Sequence, residues 1–114
     1  MEMLALVGAT LTAGLGVLGL VAPRVAGRLV GLAPTGPRGL SELRATYGGL
    51  FLAMGTACLV LRHPAAFAVA AAAWIGAALA RCISLVIDRD RSRENLGGVC
   101  LEGAMGWLLA TGAC

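Results

Sequence analysis

The stretch AAFAVAAAAWIGAALARCISLVI, residues 65–87, is apolar throughout except for Arg81 and Ser84. A helix needs ~20 apolar residues to cross a ~30 Å hydrocarbon core, and this stretch is long enough to do so. Similar apolar segments occupy residues 3–21, 39–61 and 96–113. The pattern predicts an all-α integral membrane protein, with residues 1–114 forming one domain folded as an up-down bundle of four transmembrane helices.

Composition supports a membrane location over a soluble one. The chain is 59% hydrophobic and 13% charged, with 17 glycines in 114 residues, whereas a soluble domain carries about 25% charged residues. The basic residues are all arginines and lie at segment ends, without the clustered basic face typical of nucleic-acid binding. We therefore expect membrane lipids and other membrane proteins as partners, and no nucleic acid.

The arginines also predict an orientation. They are concentrated in two loops: Arg24, Arg28 and Arg38 in the first, and Arg89, Arg91 and Arg93 in the third. Short loops rich in arginine stay on the cytoplasmic side, so both termini are expected on the periplasmic or exterior side of a bacterial cytoplasmic (inner) membrane. A cleavable signal peptide over the first segment is the alternative, but that segment lacks a basic start.

Charged residues inside the apolar segments predict a polar cluster in the cytoplasmic half of the bundle. At 1.5 Å per residue, Arg81 and Glu102 each lie ~10 Å from the cytoplasmic ends of consecutive helices. Ser84 and Asp88 share a helix face with Arg81, and the second helix enters from the same side. The predicted cluster consists of Arg44, Tyr47, Arg81, Ser84, Asp88 and Glu102.

An unpaired charge at bilayer depth costs at least ~2.5 to 3.5 kcal/mol, so Glu102 is expected to pair with Arg81, Arg44 or both. Two interpretations of the cluster stay open. It could be a structural ion pair that fixes helix register, or a binding site or proton relay in which Glu102 titrates. The excess of cations over deep carboxylates would suit an anionic ligand or a lipid phosphate.

Two tryptophans, Trp74 and Trp107, are predicted near mid-membrane, in neighbouring helices. They either fill space between small residues or contact a bound hydrophobic molecule or a partner subunit. The small residues of the third segment, Ala72, Gly76 and Ala80, recur every fourth position. This stripe predicts helix packing within the bundle, with a dimerisation face as the alternative.

Reactive side chains do not form a recognisable catalytic or metal-binding pattern. The four cysteines lack the spacing of metal ligands, and the only histidine, His63, reads as a loop residue. Cys58 and Cys114 lie toward the same side, so a disulfide between them is the alternative to free thiols. The expectation is a protein without metal or cofactor that is not an enzyme.

A family resemblance adds to this interpretation. The segments ELRATYGGLFLAMG (residues 42–55) and GAALARCISL (residues 76–85), with Asp88 and Glu102, resemble the bacterial family catalogued as domain of unknown function 4345. The resemblance implies a chain of similar length with four transmembrane helices, and it includes all six positions of the predicted cluster. It implies no activity.

The favoured functional interpretation is a non-enzymatic accessory or structural subunit that packs within a larger membrane complex or a homo-oligomer. In this interpretation the Arg/Glu cluster fixes the shape of the bundle. The alternative is a small transporter, or a lipid- or anionic-ligand-binding membrane protein, that uses the cluster as its site.

Overall fold

The computed structural model describes residues 2–114 and is all-α. The helices are α1 (Glu2–Val21), α2 (Pro23–Leu29), α3 (Pro37–Leu43), α4 (Phe51–Leu61), α5 (Pro64–Ile87) and α6 (Arg93–Ala110). A π-helical stretch, Arg44–Leu50, joins α3 to α4 without a break, and a 3₁₀ turn, Thr111–Ala113, follows α6. The short helix α2 occupies part of the first loop.

Four helical runs are long and apolar enough to cross a membrane: Glu2–Val21, Pro37–Leu61, Pro64–Ile87 and Arg93–Ala113. They end where the sequence predicted and begin one to three residues earlier. The earlier starts have local causes. Proline, whose missing N–H costs nothing in the first turn, begins the second and third runs. Ser92 caps the fourth by accepting the N–H of Asn95 at 3.1 Å.

Helix α1 is central to the packing. It lies against the π-helical stretch and α4, and also against α6, while α5 packs mainly on α6. Glycines on the neighbouring helical segments allow α1 to approach them closely. A Cβ on Gly55 would lie 2.5 Å from the backbone nitrogen of Ala13, and one on Gly48 would lie 2.9 Å from that of Leu20. These contacts are therefore made backbone to backbone.

The small-residue stripe of α5 does not pack within the chain. Ala72, Gly76 and Ala80 are all exposed, and a Cβ on Gly76 would meet nothing within 4 Å. The prediction that this stripe packs inside the bundle is wrong. The reason is that α5 turns a different face inward, because its large rings, Phe67 and Trp74, are 3% exposed and form part of the core.

The cysteines are free thiols. Cys58 is buried, whereas Cys82, Cys100 and Cys114 are exposed. The disulfide considered between Cys58 and Cys114 is therefore not formed. Cys58 lies in the core, where its thiol donates to the carbonyl of Ala66 at 3.6 Å, and it behaves as a small apolar residue.

Candidate functional site

The predicted ion pair between α5 and α6 is present. Arg81 Nε lies 2.5 Å from Glu102 Oε1. Glu102 is buried, with 8% of the residue exposed, and the Arg81 side chain is 20% exposed. A charge-assisted contact between two such shielded groups is stronger than an exposed pair, since little water competes for either partner.

Asn95, which the sequence pattern did not mark as part of the cluster, supports this pair. Its side chain is buried at the start of α6, where Oδ1 accepts from Arg81 Nη1 at 3.5 Å. Its Nδ2 donates to the carbonyl of Asp90 at 2.8 Å. Asn95 thus connects the ion pair to the α5–α6 loop. The sequence SREN, residues 92–95, could have indicated that Asn95 lies in the first turn of a helix, because Ser92 is a good helix cap.

Gly98 makes room for the Arg81 guanidinium. A Cβ on Gly98 would lie 2.5 Å from Arg81 Nε and 2.6 Å from Cζ. Arg81 therefore lies directly against the backbone of α6, one helical turn from Glu102. Any side chain at position 98 would have to displace the guanidinium from its present position.

The ion pair borders a partly open cavity of about 240 Å³. Most of its lining is apolar and comes from several helices, including Leu15 and Leu18 of α1 and Leu29 of α2. The polar lining includes the paired side chains of Arg81 and Glu102, together with Tyr47. The cavity is therefore amphipathic.

An aromatic row forms another part of the cavity lining. The rings of Tyr47 and Phe51 meet edge to face with centroids 5.8 Å apart, and those of Phe51 and Trp74 are 4.8 Å apart. A hydrogen bond in the buried core fixes the Trp74 ring, because its Nε1 donates to Thr12 Oγ1 at 3.1 Å. The row places a rigid apolar surface beside the polar groups.

The π-helical stretch positions Tyr47 in this row. In a π-helix each N–H bonds to the carbonyl five residues earlier, so side chains rotate relative to the flanking α-helix. Gly48 follows Tyr47 and packs against Leu20 of α1, as expected for a packing glycine. Sequence periodicity did not reveal the π-helix, because a stretch of 7 residues is too short for its side-chain period to be distinguished from that of an α-helix.

The two tryptophans have different environments. Trp74 is 3% exposed, while Trp107 is 61% exposed and lies on the outer surface of α6. Trp74 therefore fits both interpretations made from sequence, since it fills interior space and also lines the cavity. Trp107 fills no interior space, which leaves contact with a partner, a lipid or a hydrophobic molecule outside the bundle.

The predicted cluster is divided in the structure. The guanidinium of Arg44 donates to the backbone carbonyl of Leu20 at the end of α1. The last carbonyls of a helix lack partners within it and carry partial negative charge, which explains this contact. Arg44 is thus a capping group for α1, and within residues 2–114 the ion-pair partner of Glu102 is Arg81.

Ser84 and Asp88 also lie apart from the cavity. Ser84 Oγ donates to Asp88 Oδ2 at 2.7 Å near the end of α5, and Asp88 is exposed. Neither residue lines the cavity. Of the six cluster residues, Tyr47, Arg81 and Glu102 line the cavity.

Asp90, in the loop that Asn95 contacts, has a perturbed acidity. Hydrogen bonds from the side chain and backbone of Ser92 hold the pKa of Asp90 below its ordinary value, because they stabilise the carboxylate form. Asn95 contacts the backbone carbonyl of this residue and not its carboxylate. Within residues 2–114, no three His, Cys, Asp or Glu side chains are grouped closely enough to hold a metal ion.

Comparison with known proteins supports the resemblance noted in the sequence. Residues 1–112 match the model of the family described as Domain of unknown function (DUF4345). No curated protein and no solved structure matches the chain. Because the match covers nearly the whole length, the chain belongs to the DUF4345 family.

Proposed function

We propose that this protein is an integral membrane protein that binds a small amphipathic molecule in the cavity beside Arg81 and Glu102. The observation that carries the proposal is the cavity itself, which combines a mostly apolar lining with the polar side chains of Tyr47, Arg81 and Glu102. Sites for small molecules commonly combine a mostly apolar surface with a few polar groups that fix orientation.

Membrane insertion is supported by the outer surfaces of the long helices. Large apolar side chains point away from the bundle, among them Val17, which is 49% exposed, Leu79 at 60% and Ile83 at 57%. Soluble proteins rarely expose contiguous apolar surfaces of this kind, whereas lipid accommodates them. The four long helices satisfy their backbone hydrogen bonds internally, as a membrane requires.

The proposed orientation places the cavity toward the cytoplasm. The two arginine-rich loops lie near one another, because a Cβ on Gly31 would be 3.5 Å from Glu94 Cγ. Arg93 and Glu94 also border the cavity. With arginine retained on the cytoplasmic side, the helices would run up and down through a bacterial inner membrane, and both termini would be exterior.

The proposed role is binding rather than catalysis. Glu102 was the candidate acid in the sequence, and its carboxylate is engaged by Arg81 at 2.5 Å. A carboxylate engaged in this way serves as a hydrogen-bond acceptor. The aromatic row would hold the apolar part of the ligand, and the ion pair with Tyr47 would orient the polar part.

Native mass spectrometry of protein gently extracted from membranes tests this proposal. We expect a bound molecule that survives extraction and is lost in Gly97→Leu. Gly97 lines the cavity, and a Cβ there would meet nothing within 4 Å, so a leucine can occupy the cavity without disturbing the helix.

Gly103→Leu is the matched control, because Gly103 is on the same helix, is exposed, and also has nothing within 4 Å of its Cβ position. The adduct should persist in this control. An adduct of equal abundance in both variants, or none in the unmodified protein after supplementation with amphipathic molecules, would contradict binding in the cavity.

The second candidate function is an accessory subunit within a larger membrane complex or a homo-oligomer. It is favoured by the outward position of the α5 stripe, Ala72, Gly76 and Ala80, since such stripes allow close helix contact between chains. Gly76→Leu should release the partner during extraction, whereas Gly14→Leu, at another open position, should not. Equal recovery of the assembly in both variants would count against this role.

A further inference from the structure

We propose that the molecule bound in the cavity has an uncharged head group that both donates and accepts hydrogen bonds, such as a hydroxyl, attached to a single ring or a short chain. This inference rests on the proposed binding function and specifies its ligand. It differs from the anionic ligand that the excess of arginine suggested, because the structure assigns those arginines to different places.

The charges around the cavity balance. Arg81 and Glu102 neutralise each other in direct contact, and the exposed rim carries Arg93 and Glu94. Arg44, which would have supplied the excess positive charge, is committed to the end of α1. The cavity therefore offers no uncompensated charge for a charged ligand to neutralise.

An anionic head group would have to share Arg81 with Glu102. That arrangement places two negative charges around one guanidinium beside an apolar surface. Charges removed from water are tolerated when each is matched, and an unmatched one is costly. A cationic head group meets the same difficulty with Glu102. A neutral head group leaves the ion pair intact.

The polar groups of the cavity lining nevertheless offer both donors and acceptors. Arg81 uses Nε toward Glu102 and Nη1 toward Asn95, which leaves Nη2 as a donor. Glu102 receives Arg81 through Oε1, which leaves Oε2 as an acceptor. The Tyr47 hydroxyl can act in either sense. A hydroxyl on the ligand can donate to one of these groups while accepting from another.

The dimensions limit the apolar part. A cavity of about 240 Å³ lies just below the ~300–1,000 Å³ range of sites for drug-sized ligands. The flat rings of Phe51 and Trp74 favour a ring or an extended short chain against them. A complete two-chain phospholipid exceeds this space.

The test uses Trp74 as a reporter, in the Trp107→Phe variant. Trp107 is on the outer surface and Trp74 lines the cavity, so the variant keeps the one tryptophan that a ligand would contact. The purified protein in lipid nanodiscs is titrated with 1-octanol, octanoate or octylammonium near neutral pH. The partitioning of each probe into the bilayer is measured first, and affinities are then compared at equal probe concentrations in the bilayer.

We expect 1-octanol to bind at least tenfold more tightly than either charged probe, with the response abolished by Gly97→Leu. Octanoate or octylammonium binding as tightly as octanol would overturn the neutral head group while leaving the proposed binding function standing. A Trp74 signal that responds to none of the probes, or that responds equally in the Gly97→Leu background, would contradict the binding function as well.

Two charge variants give an independent readout. Glu102→Gln leaves Arg81 without a counter-charge and should shift the preference at least tenfold toward octanoate, while Arg81→Gln should shift it toward octylammonium. Unchanged preferences in folded variants would show that the pair does not face the ligand, and would overturn the inference. The comparison of probes on the Trp107→Phe protein decides the question alone if either charge variant fails to fold.

Discussion

Replacing Glu102 by leucine would leave the Arg81 guanidinium without its counter-charge inside the helix packing. Glu102 is 8% exposed and its Oε1 lies 2.5 Å from Arg81 Nε, so the pair is largely shielded from water. Removing one partner of a buried pair costs ~3–5 kcal/mol. Because Arg81 keeps 20% side-chain exposure and a contact with Asn95, we expect the lower end, about 3 kcal/mol.

The double variant Arg81→Met/Glu102→Leu is the informative comparison. It removes both charges together and replaces them with apolar side chains of similar length, which is often close to neutral for buried pairs. We expect it to be destabilised by less than about 1 kcal/mol, so it should be more stable than Glu102→Leu alone.

The assay is equilibrium unfolding in mixed micelles at increasing mole fraction of a denaturing detergent, followed by circular dichroism. The unmodified protein, the single variants Glu102→Leu and Arg81→Met, and the double variant form a cycle that gives the coupling free energy between the two positions. A coupling below about 0.5 kcal/mol, the usual error of additivity, would refute the idea that this ion pair stabilises the packing of α5 on α6.

Three further predictions concern packing and acidity. Gly19→Leu should destabilise the fold by about 1–3 kcal/mol in the same unfolding assay, because a side chain there would meet the backbone of the π-helical stretch. The control Gly14→Leu, at an open position, should leave the stability unchanged. Equal effects of the two substitutions would contradict a backbone contact at Gly19. Thr12→Val removes the acceptor for Trp74 Nε1 and should cost about 1–3 kcal/mol, together with a shift in Trp74 emission; an unchanged spectrum and stability would exclude that bond. Hydrogen bonding lowers the pKa of Asp90 from 3.8, so the stabilisation it gives is present above that value and is lost as pH falls through its lower folded-state pKa. Asp90→Asn should therefore lose less stability than the unmodified protein in acid titration, and parallel acid profiles would be inconsistent with this.

The helical segments were predictable because they depend on local information. Runs of apolar residues, with proline at helix starts and arginine at the ends, mark the four long helices. The pairing of Arg81 with Glu102 was also predictable, since consecutive helices place residues at matching depth and a buried charge requires a partner.

Residues at the same depth need not meet, and this explains the wrong predictions. Arg44 lies at the same predicted membrane depth as the cluster, yet it caps α1. The reason is that glycine contacts at other positions set the rotation of the helical segment that carries Arg44. Asn95 is the converse case, a residue that meets the cluster although no sequence pattern indicated it. It lies near the start of α6, where the sequence indicates a loop residue, and only the fold brings Arg81 beside it.

The helical segments, their apolar character and the need for a charge pair follow from the order of residues along the chain, because hydrophobic length and the cost of buried charge are properties of each segment. Three features follow from the packing of the helices: which arginine Glu102 engages, which face of α5 packs inward, and the presence of a cavity beside the pair. Those features depend on the rotation of each helix about its axis. Rotation is set by close contacts between helices that are distant in sequence, and apolar length carries no information about it.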